Sequence, residues 1–399
     1  MSGIKHILPI FLLFVSLISC KKESNSPEKM DCQLEADTFK TSLNSQKYQS
    51  LIQQYTSAGL PGISLLIKDS TGYYIASSGT ADIESNIQLQ PCHITHFSGV
   101  TQMMTAVAIF RLQEKGVLSI EDPVSKYISN DKLKKIGNGG SPLKIKNLLN
   151  HTAGLHDILT DQDFYLGLLN DPTKAQNPDD LLKYINNKPS MFAFRPVDTV
   201  GFSNTNYLLL SMIIESATGA PHSRVITEEI ITPLGLIETF YEPYQQSPSN
   251  KTAKGYYDIY GNNTLHNLSH WNTGLGNGYN GIYSTVWDMH IFLNALLVDR
   301  TLLEPASLNQ MLTFEPDIES GKQMGMGCFR DFVDASNPGL TYSWGYRGND
   351  LAYTAEVHYF PEYKTTLVLT VNYGTVKNSS LRYTYEAFRR KLASIIVNQ

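Results

Sequence analysis

The run from His96 to Phe110, HFSGVTQMMTAVAIF, decides how the rest of the chain is read. Small and polar residues pass directly into an apolar helix, predicted over Thr101–Lys115 and closed by Gly116. A turn feeding a helix start is one way to present a serine nucleophile. A basic residue three positions on then shares its helix face and takes its proton. Which residues occupy those two places here sets the chemistry.

Working outward, PGISLLIKD and GYYIASSGT are short apolar runs joined by Asp69-Ser70-Thr71-Gly72, a hairpin signal. Phe39–Tyr55 before them has apolar residues at helical spacing. Downstream, Ile145–Leu149 leads into the polar loop NHTAGL. Tyr207–Ser216, ended by Thr218-Gly219, and Val286–Leu297 read as helices. From Tyr342 the pattern changes to strands, YTAEVHYF and TTLVLTVNYG about a turn at Pro361-Glu362. An amphipathic helix over Arg382–Val397 follows. Strands at both ends and helices between predict an α+β fold. Its antiparallel sheet is built from N- and C-terminal segments and flanked by helices, with a mostly helical lobe inserted.

The chain begins with Lys5 and His6, then an apolar run from Ile7 to Ile18 interrupted by Pro9 and Ser16. That run is too short to span a bilayer and fits a signal-peptide core. Leu17-Ile18-Ser19-Cys20 reads as a bacterial lipobox, with Cys20 the lipidated residue, and KKESNSPEK after it reads as a flexible tether. The expected layout is a signal peptide over 1–19, a lipidated tether over 20–35 and one domain over 36–399. Within that domain an α/β lobe comes from about 36–100 and 280–399, and a helical lobe from about 101–279. The implied location is that of an exported bacterial lipoprotein, membrane-anchored on the periplasmic or cell-surface side. A formal net charge of −5 with no basic stripe argues against a nucleic-acid partner. With Cys20 lipidated, Cys32, Cys92 and Cys328 allow at most one disulfide and one free thiol, and the pair is open.

Over nearly all of this mature length the chain resembles the serine β-lactamase-related hydrolases, which include class C β-lactamases, D-alanyl-D-alanine carboxypeptidases and related esterases. The residues that carry the resemblance are PGISLLI, TAVAIFRLQEKGVLSIEDPVSKYI, IKNLLNHTAGLHDI, GFSNTNYLLLSMIIESATGAPHSRVITEEIITPLGLIET, GYNGIYSTVWDMHIFLNALL and YSWGYRGNDLAYTAEVHYFPEYKTTLVLTVNYG, in that order. It implies a β-lactamase/transpeptidase-like fold, without fixing the function.

The resemblance also implies three motifs: Ser-x-x-Lys for acyl transfer, Tyr-x-Asn for the proton relay and substrate, and Lys/His-x-Gly at a strand edge beside an oxyanion hole. Thr105-Ala106 fix the register of the first. Counting back, the lysine place holds Gln102, the serine place holds Gly99, and Ser98 falls on the family's glycine; Thr95 stands where the family has Phe. In the second motif Phe202 replaces Tyr and Asn204 is kept. In the third Tyr346 replaces the basic residue and Gly348 is kept. Glycine has no side chain to attack with and glutamine has no basic nitrogen, so no catalytic residues are expected. If Ser98 were the nucleophile, its partner would be Thr101, which is no base. His151 in NHTAGL is expected to be structural. His266 and His270 have i, i+4 spacing, but their stretch is loop-like and offers no third ligand, so no metal and no cofactor are expected.

These substitutions predict a membrane-anchored, β-lactamase-related lipoprotein that binds a peptide, cell-wall fragment or other small ligand without cutting it. The expected contacts are Gly99, Gln102, Asn204, Tyr346 and Gly348, with Tyr346 facing the pocket. Two alternatives stand beside it: a serine hydrolase with a non-standard nucleophile, and a surface structural protein with an empty cleft.

Overall fold

A computed structural model describes residues 40–137, 143–191, 200–316, 322–332 and 341–398. The apolar run, Cys20 and the tether lie outside them. None of the described helices is long and apolar enough to cross a membrane.

Among the described residues the centre is a nine-stranded antiparallel sheet. Its order is 87–88, 73–82, 62–68, 365–371, 354–360, 342–349, 329–332, 323–324 and 315–316. The two ends of the chain meet in its middle, where Leu65 pairs with Leu369 and Leu66 with Val368. Alternate residues of these strands point to opposite faces. Leu66, Val357 and Val368 enter the larger core, with the helix Thr101–Glu114. Leu65, Ile67, Leu367 and Leu369 enter a second core, under the helices Ser45–Ser57 and Arg382–Val397. Burial on both faces is why PGISLLI and TTLVLTV carry consecutive apolar residues, Leu65-Leu66-Ile67 and Leu367-Val368-Leu369, rather than a strict alternation.

The hairpin turn is closed by its own side chain: Asp69 accepts from the N–H groups of Thr71 at 2.8 Å and Gly72 at 3.0 Å. The expected first helix starts later than Phe39, at Ser45, because Thr41 bridges Tyr73 and the Ser42 N–H donates to Tyr73 O. The second long helix is Asn204–Thr218, longer than expected at both ends and stopped by Gly219 at φ +69°. The third turns from α to a wider π-turn at Asn294. Arg382–Val397 matches its expectation. The short strands 315–316, 323–324 and 329–332 carry too few residues for a period-2 pattern and were not foreseen. His266 lies in a two-residue strand paired with Tyr257, not on a helix. Cys92 is disulfide-bonded and Cys328 is a free, buried thiol.

A small sheet positions the turn of interest. Thr95-His96 pairs with Ser284 and Tyr283, and Phe240-Tyr241 flanks the same strand. The chain then passes through a single 3-10 turn, Ser98–Val100, into the helix Thr101–Glu114. That helix packs on Asn204–Thr218.

Candidate functional site

Ser98 adopts φ +46°, the left-handed region where glycine is the default residue. This agrees with the register in which Ser98 occupies a glycine position. Its hydroxyl is buried and turns to the carbonyl of Tyr353 at 3.5 Å. Thr101 is fully buried; its hydroxyl donates to Ser98 O at 2.8 Å and accepts from the Ile282 N–H at 3.1 Å. Neither hydroxyl is among the groups lining the cleft.

Gly99 does line the cleft, a cavity of about 490 Å³ shared with Phe202, Asn204, Phe329 and Gly348. The backbones of Gly99 and Gly348 are in contact. A Cβ on Gly348 would lie 2.5 Å from Gly99 N, so no side chain fits there. A Cβ on Gly99 would lie 3.3 Å from Gly348 Cα and 3.6 Å from Tyr346 Cε1, tight but close to tolerable.

Gln102 and Tyr346 are placed differently from expectation. Both are sealed beneath the cleft, Gln102 at 0 % exposure and Tyr346 at 1 %. Tyr346 therefore does not face the pocket: Phe329 stacks on its ring at 4.2 Å and Gln102 takes its hydroxyl. The hydrogen bonds run in one direction. Tyr346 OH donates to Gln102 Oε1 at 2.6 Å, and Gln102 Nε2 donates to Asn204 Oδ1 at 2.9 Å. Asn204 Nδ2 donates to the Asp157 carboxylate at 3.1 and 3.2 Å. Asp157 also accepts from the backbone N–H groups of Asn204 and Leu159. A carboxylate only accepts, so Asp157 fixes the amide of Asn204, which fixes that of Gln102. Burial pushes the Asp157 carboxyl above its usual range, against the pull of these hydrogen bonds. Asp157 was missed from sequence; its side chain gains meaning only from Asn204, 47 residues away.

Phe202 keeps the ring of the expected tyrosine, at 38 % exposure, tilted on His151 at 4.7 Å. His151 is buried at φ +58°, and its Nδ1 accepts from the Ser203 N–H at 3.2 Å and from Asn206 Nδ2 at 3.0 Å. It braces the loop that carries Phe202 and Asn204. Among the described residues no cluster of three or more His, Cys, Asp or Glu side chains could hold a metal ion.

Burial pushes the His151 imidazole down to about 3. Its unfolded value is about 6.5, so the unfolded chain takes up this proton first as pH falls. The neutral ring's contribution is complete above about pH 6.5 and is lost as pH drops toward 3, on the order of 5 kcal/mol in all. Urea titrations at pH 7, 5 and 4 are expected to show falling stability, with a shallower slope in His151→Asn. Asparagine tolerates the left-handed backbone and does not titrate. Equal slopes would remove His151 as the cause.

A family model described as Beta-lactamase matches residues 48–388. The chain is 26% identical over 326 residues to a Bacillus subtilis (strain 168) protein named as a penicillin-binding protein, covering 81% of this chain and 75% of that one. It is 28% identical over 327 residues to an Escherichia coli O157:H7 protein named as a D-alanyl-D-alanine carboxypeptidase, covering 72% of each. Among solved structures, the D-amino acid amidase from Ochrobactrum anthropi SV3 has a TM-score of 0.74 at 21% identity, covering 90% of this chain and 100% of that one. The penicillin-binding protein homologue from Pyrococcus abyssi also has a TM-score of 0.74, at 22% identity, covering 89% and 77%. At these identities the structures show a common fold.

Proposed function

The chain belongs to the beta-lactamase family, and from that premise we propose that it is a member without serine hydrolase activity, whose cleft binds a ligand it does not acylate. Gly99 carries the reading. It stands at the cleft where the register puts the nucleophile, and the neighbouring hydroxyls of Ser98 and Thr101 are buried and already bonded elsewhere. The place of the base holds Gln102, a neutral amide bonded at both ends. Losing the nucleophile alone costs on the order of a millionfold in another serine hydrolase. What remains is a concave site with Asn204, three aromatic rings and the backbone of Gly99 and Gly348, which is the architecture of a binding pocket. A peptide, a cell-wall fragment or another small ligand fits this chemistry.

We also propose that Cys20 is lipidated and anchors the protein to a membrane on the exported side. The apolar run before it and the polar tether after it support that reading.

Incubating the purified mature protein with a fluorescent penicillin and with a chromogenic cephalosporin and ester tests the first proposal. We expect no covalent adduct and no turnover above buffer. An adduct mapped to Ser98 or Thr101, or turnover abolished by replacing either, would overturn it.

A further inference from the structure

The chain holds four cysteines, Cys20, Cys32, Cys92 and Cys328. Cys92 is disulfide-bonded and Cys328 is a free thiol. The partner of Cys92 is therefore Cys20 or Cys32, both of which lie outside the described residues. Lipidation turns the sulfur of Cys20 into a thioether, which has no thiol left to pair. Resting on the anchor reading above, we propose that a disulfide between Cys32 and Cys92 clamps the lipid-anchored N-terminus to the edge of the sheet, so that the membrane tether ends at Cys32 and its load enters the fold at Cys92.

The surroundings of Cys92 suit that role. It is half-buried, just after the edge strand 87–88. The backbone on both sides of it is fixed. The Leu89 N–H donates to Gly79 O at 2.9 Å, the His93 N–H to Gln90 O at 3.0 Å and the Ile94 N–H to Lys251 O at 2.9 Å. The Gln90 N–H also donates to His93 Nδ1 at 2.9 Å. Cys328 is excluded from competition. It is fully buried, its Sγ donates to Phe329 O at 3.7 Å, and burial pushes its thiol up to about 12. The thiolate is the species that exchanges disulfides, so Cys328 challenges neither partner. The bond itself forms by exchange. The two thiols give up two protons and two electrons to a disulfide-bearing oxidant of the exported compartment, which leaves as a dithiol.

The clamp shortens the leash. Twelve positions separate Cys20 from Cys32, and twenty separate it from Lys40. Fully extended, the first reaches about 40 Å and the second about 70 Å. The disulfide thus keeps the Cys92 edge, seven positions before Gly99, within about 40 Å of the lipid.

Thiol counting and peptide mapping on the mature protein purified from membranes test this. Iodoacetamide is expected to find no reactive thiol in the native protein and one in denaturant, at Cys328. Without reductant, trypsin is expected to give peptide 30–40 joined to peptide 69–111, two hydrogens lighter than their sum and separated by a reductant. Cys92→Ala is expected to free Cys32, raising the count to one in the native protein and two in denaturant. A link between Cys20 and Cys92 overturns the inference and the anchor reading together. Cys92 found as a free thiol, or linked to Cys328, overturns the inference and leaves the anchor standing. A link between Cys32 and Cys92 beside a Cys20 without lipid overturns the anchor reading and the clamp, and leaves only the cross-link.

Discussion

Changing Gly99→Ser, Gln102→Lys, Phe202→Tyr and Tyr346→His together is expected to give a protein that forms an acyl adduct with a fluorescent penicillin at position 99, where the unaltered protein is expected to form none. The geometry is permissive. A Cβ at position 99 lies 3.3 Å from Gly348 Cα and 3.6 Å from the Tyr346 ring. Tyr346→His shortens that ring and relieves part of the contact. An ammonium at position 102 inherits Asn204 Oδ1 as acceptor, 2.9 Å from the present amide nitrogen. Phe202 is 38 % exposed in the cleft, so a hydroxyl on its ring need not be buried without a partner. Gly99 and Gly348 still bring backbone together where an oxyanion would sit. We expect a gain of at least about a thousandfold in adduct formation, read by intact mass and peptide mapping, with Gly99→Ser alone far behind because it lacks a base. A folded quadruple variant with no adduct would show that the shell of the site has been lost as well as its reactive groups.

The second large effect is on stability. Gln102→Leu is expected to cost about 2–5 kcal/mol, because it strands two buried groups, the Tyr346 hydroxyl and Asn204 Oδ1. Tyr346→Phe strands only Gln102 Oε1 and is expected to cost about 1–3 kcal/mol. The double variant should cost less than the sum, since the second change removes a group the first has already orphaned. Chemical denaturation of the three variants measures this cycle. Additive costs would show that the hydrogen-bonded chain from Tyr346 to Asp157 is not a unit. On the reading proposed above, that chain also keeps the floor of the site folded: Gln102 and Tyr346, at the places of the family's basic groups, satisfy each other and Asn204.

Much of the fold was legible because it rests on local patterns. The hairpin at Asp69–Gly72, the helix after Gly99 and the last helix each declare themselves by periodicity and punctuation over a few residues. The register of Thr105-Ala106 located Gly99 and Gln102, and the left-handed backbone at Ser98 agrees with it. The short strands at 315–316 and 323–324 were illegible because two residues carry no pattern. The sealed position of Gln102 and Tyr346 was illegible for another reason. Sequence places a residue on a helix or strand, but Phe329, from a strand that was not foreseen, is what closes over the Tyr346 ring.

From its sequence alone the protein's architecture and the identity of the residues at the family's motif places were determined, because motif order and side-chain identity are local facts. Only the tertiary structure decided how those residues bond to one another. Asp157, Asn204, Gln102 and Tyr346 form one hydrogen-bonded chain although nearly 190 positions separate its ends. Lys377 and Arg382 reach the same cleft because the C-terminal helix docks on a sheet whose central strands come from both ends of the chain. Contacts at such separation are set by how buried faces pair, and no window of sequence contains both partners.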